Sequence, residues 1–374
     1  MFDPIPITWF RAHDTIASSL GLFLNLLLIS AAWKRTNPAF RSYGHMVLVY
    51  AINDTIYALV SLACQRVIEL KNGTLFHMGF GLEVGAPMWL SQTVEFSNEV
   101  VCMQATAIIP TIYYFRYVLI SKTRQATIRL LILLTFFSTV LSVTFGISDL
   151  LSRSAASKRG TRYYVKQLDA YWNAVNSTAA FTSANDMDDI STITHFFIGV
   201  TNVIVCYGIA LFYAYKTLKI IKSQIVGHVQ SQTSARLTRE FSRNLFIQTA
   251  ITQICAVLPS SYLATYIVFR LSFFSYGPIT SSLLALNPAA NALVTLSVIR
   301  PYRLYALELL RLKFLIKKAD VPLSAIGTSS FGATRREHTL RSSRVLSSTV
   351  LPPLSNYRSP IAVHIHSQNN KPRS

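Results

Sequence analysis

Acidic residues are scarce in this chain. Sixteen Asp and Glu stand against 35 Lys and Arg, and charged residues of all kinds make up only 14% of 374 positions. With 51% apolar residues and a mean hydropathy of +0.37, so little charge excludes an ordinary water-soluble domain, about a quarter of whose residues are charged. Cysteine is also sparse: Cys64, Cys102, Cys206 and Cys255 lie in or beside apolar runs, without CxxC or Cys/His spacing. That excludes a disulfide framework and a structural zinc site, and no metal or other cofactor is expected. The opening MFDPIPITWFRAHD has neither a charged leader nor a small-residue cleavage site, so the first apolar span is expected to act as its own signal. Internal repeats are lacking, which argues against a secondary transporter.

What the chain does have is long apolar runs. A bilayer core takes about twenty apolar helical residues per crossing, and seven segments qualify: Thr15 to Trp33, Tyr43 to Ala63, Val100 to Ile120, Leu130 to Leu150, Thr192 to Phe212, Leu245 to Phe269 and Ile279 to Ile299. The expected fold is therefore an all-α membrane protein, a seven-transmembrane helix bundle. The third segment is the least apolar and contains Pro110, a content best tolerated inside the bundle, so it is expected to be central. Residues 1–14 read as an outer N-terminus, 15–303 as the bundle, 304–318 as an amphipathic helix on the membrane surface, and the Ser/Thr/Pro/Arg-rich 319–374 as a disordered inner tail.

The excess of basic residues orients the bundle. With the N-terminus outside and the C-terminus inside, the inner loops hold three, four and six Lys or Arg and the tail from Arg300 thirteen, which is 26 of the 35. Lipid orientation thus accounts for the net charge of +19, and no nucleic-acid partner is expected. The sequons Asn72-Gly-Thr and Asn176-Ser-Thr fall in outer loops, where glycosylation has to occur, whereas Asn53-Asp-Thr sits inside a span.

Polar groups inside the spans are few and costly, so each raises a functional question. Asn25 lies midway along the first span, Asp54 is the only acid well inside the second, and Asn287 is near the middle of the seventh. The three are expected to hydrogen-bond in the core. Each alone would be helix glue; together with Pro288 they suggest a hinge network. Pro259 predicts a second kink in the sixth span, and Arg116-Tyr117 closes the third span beside a basic loop.

This set, namely Asn25, Asp54, Arg116-Tyr117, a proline-kinked sixth span and Asn287-Pro288, resembles the plan of rhodopsin-like G-protein-coupled receptors. The strings FLNLLLISAAWKRTNPAFRSYGHMVLVYAINDTIYALVS, FRYVLI, FSRNLFIQTAITQICAVLP and the Pro-Tyr-Arg ending of the seventh span resemble nematode serpentine chemoreceptors, specifically the class delta (Srd) family of the Str superfamily. The resemblance covers about residues 15 to 303. It implies a chemosensory receptor at the plasma membrane, in sensory neuron cilia, that binds an odorant or pheromone and activates a heterotrimeric G protein. Asn25, Asp54, Arg116, Tyr117, Pro259, Asn287 and Pro288 would carry the switch.

Departures from the plan matter as well. Phe115 stands where rhodopsin-like receptors place an acid before the arginine, which removes that ion-pair lock, and Asn291 stands where they place a tyrosine. The long outer loop holds no cysteine for the usual bridge to the third span. Cys64 and Cys102 form either a bond or two buried thiols. Ligand contacts are expected from the outer halves of the third, fifth, sixth and seventh spans, with Glu99, Gln104, His195 and Tyr262 as polar candidates.

Other functions lack their residues. An intramembrane protease needs paired aspartates or a serine with a histidine, and only Asp54 and His195 are available, without partners; an opsin needs a lysine in the seventh span, which has none. The strongest rival is a seven-span ligand-gated cation channel of inverted topology, which the charge distribution opposes.

Overall fold

The computed structural model describes residues 7–36, 41–71, 73–84, 86–121, 127–159, 163, 166, 180–226, 232–270 and 276–311, all within one unit, Met1–Val321. Asn72, Asn176, the end of the expected surface helix and the tail lie outside the described residues.

The helices are α1 (Ile7–Arg35), α2 (Arg41–Cys64), α3 (Met88–Ser121), α4 (Ile128–Ser157) and α5 (Ile190–Val226). A segmented α6 follows, α-helical over Gln232–Thr252 and Leu258–Val268 with a π turn at Gln253–Val257 between, then α7 (Tyr276–Val298) and α8 (Arg300–Leu309). Five of these helices are long and apolar enough to cross a membrane by composition alone. The third carries too many polar residues and the sixth is interrupted, which is why only packing completes the seven.

That packing is set by which faces are apolar. α1 lies against α2 and α7, α3 against α2, α4, α5 and α6, and α6 against α7, so α3 is central. The core runs from Leu28 through Ile108, Ile112 and Phe115 to Leu296 and Tyr302. Outward faces of α1, α4 and α5 carry exposed Trp9, Phe23, Ile132, Phe136, Phe197 and Leu211. Such a belt is the inverse of a water-soluble surface and meets lipid.

Helix ends depart from the apolar segments in instructive ways. α3 begins at Met88, twelve residues ahead of the expected Val100, and α4 continues to Ser157, because charged residues there find partners in each other. α5 and α6 extend well past their apolar runs on the Arg116 side, as the polar stretch between them predicts. α1 starts at Ile7, inside the segment expected to precede the bundle.

α8 follows a one-residue break at Ile299, whose φ of −87° and ψ of 105° are extended. Pro301 fits the first turn of a helix, where its missing N–H is no loss. The helix is held to α1 by Tyr305 Oη and Ser30 Oγ at 2.7 Å, by Tyr302 Oη and Thr36 Oγ1 at 3.0 Å, and by an Arg35–Glu308 ion pair.

At the opposite end the bundle carries a three-stranded antiparallel sheet that the helical expectation did not include. Strands β1 (Arg66–Lys71) and β2 (Thr74–Gly79) form a hairpin, and β3 (Ala180–Asp186) from the α4–α5 connection pairs with β2. Lys71 pairs with Thr74, leaving only Asn72 and Gly73 between the strands. Gly73 has φ 79°, a conformation that two-residue hairpin turns demand and side chains resist.

Candidate functional site

Beneath the sheet lies a cavity of about 380 Å³. The sheet is its roof, contributing Ile68, Leu75, His77 and Asn185, and its apolar wall comes from Phe145, Val200, Ile204, Val257 and Leu284 on α4 to α7. Val200 and Ile204 are themselves largely exposed on the outer face of α5, so the apolar side of the cavity reaches the lipid belt.

The other side is charged. Asp149 and Arg153, one helical turn apart on α4, pair through Oδ2 and Nε at 2.6 Å. Arg153 Nη1 reaches Glu95 Oε2 at 2.5 Å and its Nη2 reaches Glu99 Oε1 at 3.3 Å. Arg66, the first residue of β1, ion-pairs with Glu99 and stands 3.5 Å from Glu95, so two guanidiniums bridge the same two carboxylates. Asn185 Nδ2 donates to Asp149 Oδ1 at 2.9 Å, and His195 Nε2 is 3.7 Å from that oxygen while its Nδ1 faces Ser148 Oγ at 2.9 Å. All of these charges are nearly inaccessible. A buried network of this kind adds little net stability, but loss of one member strands the others, so it fixes one arrangement of lid, α3 and α4.

Two groups in the lid feel this environment. Burial, reinforced by Arg153 and Arg66, holds the His77 imidazole well below the usual histidine range. Burial, then repulsion from Glu95, pushes the Glu83 carboxyl up to about 8. Cys64 Sγ donates to Glu83 Oε1 at 2.9 Å and Cys102 Sγ lies 3.3 Å from Tyr57 Oη, so these cysteines are free thiols with separate partners.

Of the four expected ligand contacts, Glu99 and His195 line the cavity. Gln104 and Tyr262 do not. Five residues beyond Glu99, Gln104 is rotated by about 140° around α3 and faces α4, donating to Ser138 Oγ at 3.0 Å and accepting from Ser142 Oγ at 2.8 Å. Tyr262 is 54% exposed on the outside of α6 with its ring stacked on Tyr266 at 6.2 Å; its neighbour Ser261 is the one that lines the cavity.

Deeper in the bundle the polar residues form a second set. The expected trio is not joined as a trio. Asn25 Nδ2 donates to the Pro288 carbonyl at 3.1 Å and to Gly21 O at 2.9 Å, tying α1 to the proline turn of α7. Gly21 permits the approach, since a Cβ there would lie 3.2 Å from Ala289 N. Asp54 is met not by Asn287 but by Asn291, one turn further along α7, whose Nδ2 lies 3.2 Å from Asp54 Oδ2 and 3.3 Å from Tyr50 Oη. Asn287 is completely buried, and its side chain has no hydrogen-bond partner among the described residues. Gln248 on α6 continues the chain, donating to Thr295 Oγ1 at 2.7 Å and to Asn291 O at 3.5 Å.

α3 is linked to α6 in the same region. Arg116, 3% exposed, donates to Ser242 Oγ, and Tyr113 Oη lies 3.0 Å from Thr249 Oγ1. Tyr117 turns to α5, its ring 5.3 Å from that of Tyr213 and 5.9 Å from Lys216 Nζ. Phe115, in place of an acid, is buried in the apolar core. Pro259 brings the π turn rather than a simple bend: without its N–H the backbone rearranges in the preceding turn, and Leu258 N bonds Gln253 O.

Asn291, Gln248, Thr295, Arg66, Asp149 and Arg153 were not among the expected site residues. The first is visible in the sequence only as a missing tyrosine. The Asp149/Arg153 spacing of four and the Asn-Gly flanked by strand-forming residues were legible signals.

Seven helices around a central third, with a roofed cavity at one end and polar ties among α2, α3, α6 and α7 towards the other, define a seven-transmembrane receptor of the G-protein-coupled type. Residues 11–307 match the family described as Serpentine type 7TM GPCR chemoreceptor Str, and the chain belongs to it. Similar proteins include two from Caenorhabditis elegans, in the class that the motifs indicate. Serpentine receptor class delta-3 is 22% identical over 309 residues, covering 79% of this chain and 85% of that one, and serpentine receptor class delta-32 is 21% identical over 319 residues, covering 83% and 89%. Squid rhodopsin shares the fold, with a TM-score of 0.55 at 13% identity over 82% of both chains.

Proposed function

We propose that the protein is a chemosensory receptor of the plasma membrane, at home in sensory cilia, that binds an external small molecule, an odorant or pheromone, beneath the sheet and activates a heterotrimeric G protein at the Arg116 end. The N-terminus and sheet are outside and α8 is inside, the orientation that the Lys/Arg asymmetry favours. The observation that carries this reading is the continuity of the two polar sets. A ligand in the cavity touches α3 through α7, and of these α3, α6 and α7 are tied below by Gln248–Thr295 and Arg116–Ser242, with α7 held to α2 by Asp54–Asn291.

Ligand that favours one packing of α6 against α3 and α7 shifts the population towards it. The π turn and Pro288 are where those helices yield, because their backbone ladders are already interrupted. Release of Ser242 from Arg116 then exposes the basic inner surface to the G protein. The test is nucleotide exchange on a promiscuous Gα in cells expressing the chain, challenged with a volatile and pheromone panel, alongside surface staining of an N-terminal epitope. Exchange with outside staining is the expected result. Outside staining of the C-terminus alone, with ligand-gated current, would favour the inverted channel.

A further inference from the structure

Among the described residues, the charged side of the cavity does not balance. Three carboxylates, Glu95, Glu99 and Asp149, meet two guanidiniums, Arg66 and Arg153; four of the five residues are buried and the side chain of Arg66 is 9% exposed. The two guanidiniums are shared over Glu95 and Glu99, and only one edge of Arg153 reaches Asp149. The outer oxygen of Asp149, at the cavity, is met by the neutral Asn185 and by His195 at 3.7 Å. An excess carboxylate in a low-dielectric site is costly unless a cation joins it.

Three further features bear on what joins it. Phe145 and Phe196 line the cavity beside Asp149, and aromatic faces attract organic cations. Thr280 also lines it, is 1% exposed, and its hydroxyl has no hydrogen-bond partner among the described residues, an acceptor awaiting a donor. The opposite wall, Val200, Val203, Ile204, Val257 and Leu284, is apolar.

Resting on the receptor reading above, we infer that the cavity takes a small amphipathic amine, its ammonium against Asp149 and Glu99 and its hydrocarbon portion along α5 and α6. A carboxylic acid of the same length would add a fourth negative charge to the cluster, and an alcohol would leave the excess in place. Among equal chains the amine is therefore the one selected.

The experiment uses the full chain in nanodiscs and reads binding by thermal stability, with n-hexylamine, 1-hexanol and hexanoic acid as probes. Hexylamine is expected to raise the Tm in a saturable way, with an apparent Kd on the order of a hundredfold below that of the acid. Asp149→Asn is expected to abolish that preference, and Thr280→Val to weaken amine binding while sparing the fold. No shift with hexylamine, or an equal or larger shift with hexanoic acid, overturns the inference, and this comparison on the unaltered receptor stands even if Asp149→Asn misfolds. Nucleotide exchange with hexylamine separates the two readings: binding without exchange contradicts signalling and leaves the ligand class intact, whereas exchange driven by an acid does the reverse.

Discussion

Asn291 of α7 donates to Asp54 of α2 across 3.2 Å, in the position that a tyrosine holds in the rhodopsin-like plan. A buried carboxylate facing apolar helices needs such a donor, and the amide also reaches Tyr50. The contact ties α7, which lines the cavity through Thr280 and Leu284, to α2.

Asn291→Ala should therefore lower stability by about 1 kcal/mol, the usual worth of a polar tie between membrane helices, and raise basal nucleotide exchange. Asn291→Asp should cost more, because two carboxylates would face each other. Thermal unfolding of the purified variants measures both effects, and Asp54→Asn in the Asn291→Asp background should restore part of the loss.

The sheet gives a second expectation. Gly73→Ala forces a Cβ to 3.0 Å from Arg270 Cγ at a φ of 79°, so it should destabilise the hairpin by about 1 kcal/mol. Limited proteolysis of the roof should speed up severalfold while the helices stay protected.

Glu83 supplies a pH dependence with a definite sign. Its carboxyl titrates near 8 when folded, against 4.5 for the ordinary group, so between those values the folded state holds a proton that the unfolded state has lost. Stability of the lid should fall as pH rises from about 5 to about 8 and level off above. Glu83→Gln, neutral throughout, should flatten that slope, and hydrogen exchange of β1 and β2 at several pH values checks it.

The thiols offer a covalent check. Cys64 and Cys102 engage Glu83 and Tyr57 separately, so all four cysteines should alkylate after unfolding without reductant. A mass that shows two blocked thiols would contradict the arrangement.

Much of the bundle was legible because lipid imposes length and hydropathy on each span. The seven segments fall in α1 to α7 except for their last residues Phe269, just past α6, and Ile299, the extended break before α8, and α3 is central as its polar content implied. What remained hidden depends on rotation and register. Nothing in the composition says that Asn291 rather than Asn287 faces Asp54, since both lie on one side of α7 and only packing selects the depth. Glu99 and Gln104 are alike as polar residues of one span but point about 140° apart. The sheet was hidden differently: Asn72-Gly73 reads as the start of a sequon, although the same dipeptide between two strand-forming runs also specifies a hairpin turn.

The central claim is that Arg116, once Ser242 of α6 releases it, is part of the inner surface that engages the G protein. The direct measurement is nucleotide exchange on a promiscuous Gα by Arg116→Ala, compared with the unaltered receptor at equal surface expression and with an activating ligand from the panel. The account predicts at least about a tenfold loss of exchange with ligand affinity kept within a factor of about three. Undiminished exchange in Arg116→Ala would contradict it.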